Sequence, residues 1–352
     1  MGVNQIGFLH NYASGCDPKK NIIKAKKTDR AEKKLDLTIL FMAITYASEL
    51  TLLSIGFTLT YLTAKIPNFA HGTYAGYGIY VTYTFAKFFG ISPYYGLPVA
   101  FLVGGLISVI VFKLVISTLG KMGSGAIVLT IATLAIQIFL GAILYIYAYA
   151  FIAFFKQYAT GFMLKDWDFK IGDISGIFFV SIGISIITVI ALHYLLTKTK
   201  LGIAMRATAE DPELSSVLGI NTTNVQTFSW FLTGGLACLA GSLMPLWFQC
   251  SPMTGSGIIT SIMAGSLLGG FESVYGAIIG GFTIGMAEVL LTLAGQLVIG
   301  NWFGEYRPLI PMAFLIIVLL IEPRGLQGFY ENWQKRKVAP KPKEPEAKEA
   351  KK

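Results

Sequence analysis

Apolar residues dominate this chain from about residue 37 to residue 321, interrupted by short polar stretches that hold glycine, proline and charge. The pattern resolves into nine apolar segments, at roughly 37–64, 68–89, 97–118, 125–150, 174–196, 226–248, 256–271, 274–296 and 307–321. About 20 such residues in a helix cross a hydrocarbon core ~30 Å thick. In that medium every backbone N–H and C=O must find its partner inside the protein, so each segment is expected to be helical. Small residues recur in them, as in GGLACLAGS and GGFTIGM, and let backbones approach closely. The expected fold class is all-α, a polytopic transmembrane helical bundle of about 8–10 spans with broken or re-entrant helices among them.

Composition agrees. Of 352 residues, 54% are hydrophobic and 13% charged, with a mean hydropathy of +0.63; soluble domains carry about a quarter charged residues. The net charge of +9 gathers at the ends. Residues 1–36 read as a basic, polar extension expected to be flexible, 37–328 as the transmembrane domain, and 329–352 as a basic, disordered cytoplasmic tail. Basic runs beside membrane spans sit against anionic headgroups or in solvent, so the bilayer is the expected partner and nucleic acid is not. Cys16, Cys238 and Cys250 have no CxxC spacing, which suggests neither a disulfide framework nor a zinc site. Three scattered histidines, no HExxH and no nucleophile elbow leave no metal ligands and no catalytic residues to assign.

Charge also sets an orientation. The loop at 197–225 begins with Lys198, Lys200 and Arg206, which places it in the cytoplasm. At 151–173, Lys156, Lys165 and Lys170 are offset by Asp166, Asp168 and Asp173, which suits the outside. Four segments after the cytoplasmic loop put the C-terminal tail inside; five before it put the N-terminus outside, against its own basic residues. Two resolutions stand. Either the leader is external despite its charge, or an early segment is broken or re-entrant, with Pro67 marking the place.

Within the cytoplasmic loop, AEDPELSSVLGIN carries the signals of a short capped helix. Asp211 accepts from the free N–H groups of the first turn, Pro212 suits the first helical position, and Glu213 sits at the positive end of the dipole. Leu214, Val217 and Leu218 share one face, and Gly219 takes the left-handed conformation that ends a helix. The acidic start, Glu210, Asp211 and Glu213, fits a protein partner better than an anionic membrane, whose interfacial helices carry Lys or Arg.

Inside the spans the polar residues are few. In IPNFAHG, Pro67 biases Ile66 away from helical geometry and Asn68 is placed to cap the next helix, with His71 just inside it and near enough to the interface to be wet. One reading is a tight turn with a satisfied imidazole; the other is a break at the translocation path or gate, since irregular backbone at depth must be buried in protein or line a cavity. Glu49 and Glu288 lie within the first and eighth segments, where a carboxylate faces protein or water. Each either lines the path or bonds a neighbouring helix. The aromatic run ILYIYAYAFIAFF, residues 143–155, reads as an interfacial belt.

Five phrases, RATAEDPELSSVLGIN, NFAHG, LLGGFESVYGAIIGG, GMAEVL and EPRGLQG, stand in an order that resembles ABC-transporter permeases of the branched-chain amino-acid uptake family, over roughly residues 40–328. Glu272, where that family usually has a small or apolar residue, and the basic leader depart from it. The resemblance implies a plasma-membrane permease subunit that moves branched-chain or other small amino acids. It also implies a second related permease as a heterodimer partner, two cytoplasmic ATPase subunits, and an external binding protein that delivers cargo. No GxxxxGK[ST] loop is present, so the chain is expected to be no enzyme and to bind no cofactor, with ATP and Mg used by the partner subunits. Ala209, Glu210, Asp211, Glu213, Leu214, Val217, Leu218 and Gly219 are the implied ATPase-coupling residues. The rival reading is a secondary transporter or channel for a small polar solute such as urea or an amide, which also uses broken helices and intramembrane carboxylates.

Overall fold

The computed structural model describes residues 18–322, 325 and 328, with side chains from residue 37 onward; the basic tail 329–352 and Cys16 lie outside the described residues. Helix α1 (Pro18–Ala64) is one 47-residue helix whose apolar part, Leu37–Ala64, is the first span. Residues 18–36 continue the same helix ahead of that span. After Pro18 they hold no glycine or proline and are rich in Lys, Arg, Ala and Glu, which are good helix formers.

Helix α2 (His71–Lys87) follows a six-residue break. Next come α3 (Leu97–Val111), which runs through a π-helical turn at Phe112–Ile116 into α4 (Ser117–Lys121), then α5 (Ala126–Phe155). A small hairpin, β1 (Lys170–Ile171) with β2 (Ile174–Ser175), leads into α6 (Gly176–Lys198). The polar loop holds α7 (Lys200–Glu210) and α8 (Pro212–Val217) and is followed by α9 (Thr222–Leu243). Short α10 (Thr254–Gly257) and α11 (Ile259–Gly269), then α12 (Val274–Ile299) and α13 (Leu309–Ile321), complete the bundle. Six elements among the described residues are long and apolar enough to cross a membrane. The most apolar stretch is 89% buried in α9 and 72% in α1 but only 22% in α5 and α6, so α1 and α9 form the core and α5 and α6 the rim.

Three of the nine expected spans are short because each starts at depth, after a break that holds a proline: Pro67, Pro252 and Pro308. His71, the first residue of α2, places its Nε2 2.9 Å from the carbonyl of Leu53. Leu53 lies about three turns inside α1, roughly 16 Å from its end. Helix α10 starts at the same depth. A Cβ at Gly72 would strike the Gly255 carbonyl, and one at Gly255 would strike the Gly72 carbonyl, so the two backbones cross where only glycine fits. The third break runs back along α12, with Phe303 against Gly295 and Gln296 against Gly304, until Arg307 meets Glu288.

The breaks also show which chain segments share a face. Lys65, at the end of α1, pairs with Glu272 at 3.2 Å and lines a groove with Arg206 and Glu210, so this end belongs to the face that carries α7 and α8. Leu37 and Thr38 share a cavity with Lys165, Lys170 and Asp173 at the opposite face. Helix α2 reaches that same opposite face, where Tyr83 donates to the carbonyl of Tyr158 at 3.0 Å. The break at Pro67 thus interrupts the second crossing without reversing it. The Leu37 end of the first span therefore lies on the face opposite α7 and α8, the arrangement expected for an external leader.

Candidate functional site

Two places gather the polar residues that the sequence singles out, one at each face.

At the loop face, α8 is built as its residues dictate. Asp211 is its N-cap: Oδ1 accepts from the backbone N–H groups of Glu213 and Leu214, both at 2.9 Å. At the other end Ile220 N donates to Ser215 O and Gly219 N to Ser216 O, each at 3.0 Å, with Gly219 at φ +84°. That is the paired closure of a helix by a left-handed residue. Ser215 is buried and faces the protein, whereas Leu214, Val217 and Leu218 are 56%, 84% and 71% exposed. Three neighbouring apolar side chains on a capped turn have little cover among the described residues.

Ala209 and Glu210 fall on another element. They end α7, an amphipathic helix that buries Gly202, Met205 and Thr208 against the bundle, and they line a groove of about 580 Å³ with Leu59, Lys65 and Glu272. The reading of 197–225 as a polar loop does not pick out α7, although Leu201, Ile203, Ala204 and Met205 give it apolar positions. Glu272, out of place in the family pattern, is the partner of Lys65 here.

At the opposite face, Glu49 and Glu288 come together although 239 positions separate them. Both are buried. Oε1 of Glu49 accepts from the indole N–H of Trp247 at 2.8 Å, and its Oε2 is buried with no hydrogen-bond partner among the described residues. Glu288 accepts from the Tyr46 hydroxyl, at 3.1 and 3.0 Å to its two oxygens, and from Arg307 Nε at 2.7 Å. The Arg307 guanidinium carbon sits 4.4 Å from the centre of the Tyr46 ring and 5.7 Å from that of Phe248. Above this group lies a cavity of about 280 Å³, lined by Tyr46, Trp247, Phe248, Thr254, Glu288 and Arg307 among others. Tyr46, Trp247 and Arg307 carry no sequence signal, because each gains its role from a residue on a distant element.

Asn68 and His71 are not part of the cavity. Both are buried, 1% and 0% exposed, so the wet imidazole expected near the interface is a dry one packed at depth between α1 and α2. Leu53 offers an acceptor, so His71 Nε2 carries the proton and Nδ1 has no partner among the described residues. Asn68 does not cap α2. Its Oδ1 accepts from Ala70 N at 3.1 Å and turns the chain just before the helix, for which Ala70 is the N-cap. These residues pack beside the Gly72 and Gly255 crossing. Thr254, next to that crossing, also lines the cavity, which therefore ends on two helix starts pressed together.

The aromatic run of α5 is only partly a belt. Tyr149 and Phe154 are exposed, but Phe151 is buried against Tyr83, and Tyr147 meets Tyr80 edge-on. Cys238 and Cys250 are buried free thiols, as expected of small apolar residues.

The comparisons with known proteins agree with each other. A family model described as branched-chain amino acid transport system / permease component matches residues 39–319. The chain is 40% identical over 316 residues to a probable branched-chain amino acid transport permease protein, LivH, of Methanocaldococcus jannaschii, covering 90% of this chain and 98% of that one. It is 26% identical over 301 residues to the high-affinity branched-chain amino acid transport system permease protein LivH of Salmonella typhimurium, covering 82% and 94%. With the corresponding BraD of Pseudomonas aeruginosa it shares 27% over 301 residues, covering 81% and 93%.

Proposed function

Because the chain belongs to the family of permease components of branched-chain amino acid transport systems, a family of multi-pass membrane proteins, we propose that it is the pore-forming subunit of an ATP-binding-cassette importer for branched-chain or other small amino acids. It is a transport subunit and works with ATPase and binding-protein partners. ATP and Mg are used by the ATPases, two per assembly, and a second related permease completes the pore as a heterodimer partner.

The observation that carries this reading is the bare face of α8. Full burial of a Leu or Val side chain is worth roughly 1.5–3 kcal/mol, and Leu214, Val217 and Leu218 together form an anchor for a groove on another protein, in the manner of an amphipathic helix laid into a cleft. Glu210 and Glu213 flank that anchor and supply charge for pairing at its rim. Asp211 acts first as the cap, which holds the turn rigid. A rigid turn passes motion of its partner to α7 and α9, which it joins directly. Secondary transport does not call for such a helix, and so the rival reading leaves α8 without a role.

Reconstitution of the chain with its permease, ATPase and binding-protein partners tests the proposal. Uptake of leucine into proteoliposomes should require ATP and should persist when sodium and proton gradients are collapsed. Uptake that follows an ion gradient and ignores ATP would overturn it.

A further inference from the structure

The cavity at the opposite face holds a single guanidinium held in place from three sides. Arg307 Nε is bonded to Glu288 at 2.7 Å, and the rings of Tyr46 and Phe248 stand beside the guanidinium carbon. The side chain is 23% exposed and lines the cavity. An arginine has five N–H donors in a planar fork. With Nε committed to Glu288, the terminal nitrogens carry the remaining donors, arranged to match the two oxygens of a carboxylate. A residue needed only to neutralise Glu288 would not have to open onto a cavity.

The surroundings narrow the ligand. At about 280 Å³ the cavity lies just below the range of roughly 300–1,000 Å³ typical of sites for drug-sized ligands. It has an apolar wall of Met244, Phe248 and Ile258, and hydroxyls at Thr254, Thr260 and Ser261. Behind the Trp247 indole, Glu49 keeps one buried oxygen with no partner among the described residues. Two acidic side chains, Glu49 behind the indole and Glu288 in the wall, thus stand on the same side as the guanidinium. A zwitterion, with one carboxylate and one ammonium, matches that mixed set of acidic groups and guanidinium.

We propose that this cavity is a binding site for a free α-amino acid, with the carboxylate on Arg307 and an aliphatic side chain against Met244, Phe248 and Ile258. The inference rests on the importer reading above and gives the cargo a resting place between its delivery and the closed crossing of α2 and α10. Glu288 and Tyr46 act as positioning residues: they hold the guanidinium plane and do not themselves take the carboxylate.

The test is equilibrium binding of radiolabelled L-leucine to the full-length chain in lipid nanodiscs, without ATPases. L-Leucinamide, which lacks the carboxylate, and 4-methylpentanoate, which lacks the ammonium, serve as competitors. The wild type should bind leucine saturably and each competitor about tenfold more weakly, the loss expected for a charge-assisted pair. Arg307→Gln should weaken leucine by about tenfold and leave leucinamide unchanged, a difference that general loss of folding would not produce. Arg307→Lys, which keeps the charge but not the fork, should fall between.

Four results would each overturn the proposal: no saturable leucine binding by the wild type, equal binding of leucine and leucinamide, an equal loss of both in Arg307→Gln, or unchanged leucine binding by Arg307→Gln. Since no ATPase is present, failure here is separate from failure of the importer reading, which is decided by the nucleotide dependence of uptake.

Discussion

Gly219→Val is expected to cut ATP-driven uptake severely while the chain remains folded in the membrane and the ATPases continue to turn over. Gly219 sits at φ +84°, and nothing lies within 4 Å of where its Cβ would be, so valine meets no clash with the bundle. What it meets is its own backbone. A side chain in the left-handed region costs about 1–2 kcal/mol, and β-branching makes the position worse. The cheapest escape is to open the two hydrogen bonds from Gly219 and Ile220 that close α8. A penalty of that size shifts a two-state equilibrium roughly five- to thirtyfold. The expected result is uptake per ATP hydrolysed reduced by about that factor. Gly219→Asn should lose much less, because asparagine visits the left-handed region readily. Equal uptake per ATP in wild type and Gly219→Val would count against a mechanical role for the exit of α8.

The second large effect is expected at the helix face. Val217→Asp with Leu218→Asp replaces two side chains that are 84% and 71% exposed, so the isolated permease loses little packing and should keep its melting temperature. In the assembly the same change puts two carboxylates into an apolar groove. Anchor positions cost about 2 kcal/mol or more when truncated, and a buried charge without a partner costs more than truncation. The ATPases should therefore dissociate, with affinity at least roughly a hundredfold lower as read by co-purification and titration of ATPase onto permease nanodiscs. Unchanged affinity would show that the bare face serves something else.

Much of this molecule was legible along the chain, for a physical reason: in a bilayer, hydrophobic length and backbone satisfaction act locally. The span from residue 37 to 64 and those in α5 and α6 fall close to where apolar length puts them. The capped turn at Asp211 and its left-handed end at Gly219 were equally readable, since capping and closure involve residues only a few positions apart. Depth was not. Whether α2, α10 and α13 cross in full or start midway depends on where their breaks lie in space, and a proline marks a break without giving its level. The same limit hid the opposite-face cavity. Glu49 and Glu288 stand out as isolated charges, but the partners that give them meaning, Trp247, Tyr46 and Arg307, belong to other elements and look ordinary in the sequence. For His71 the sequence misjudged the environment, because a polar pair after a proline suits a wet turn as well as a dry one, and only packing against Leu53 and Gly56 distinguishes them.

The most direct measurement is chemical cross-linking from position 217 during transport. With Cys16→Ser as background and Val217→Cys as the probe, a thiol cross-linker should join the permease to an ATPase subunit in proteoliposomes that take up leucine, with a yield that changes between nucleotide-free and ATP-bound states. If those proteoliposomes import leucine at the normal rate while the cysteine at 217 reacts freely with water-soluble maleimide and joins no ATPase in any state, then α8 is not where the motor grips this protein.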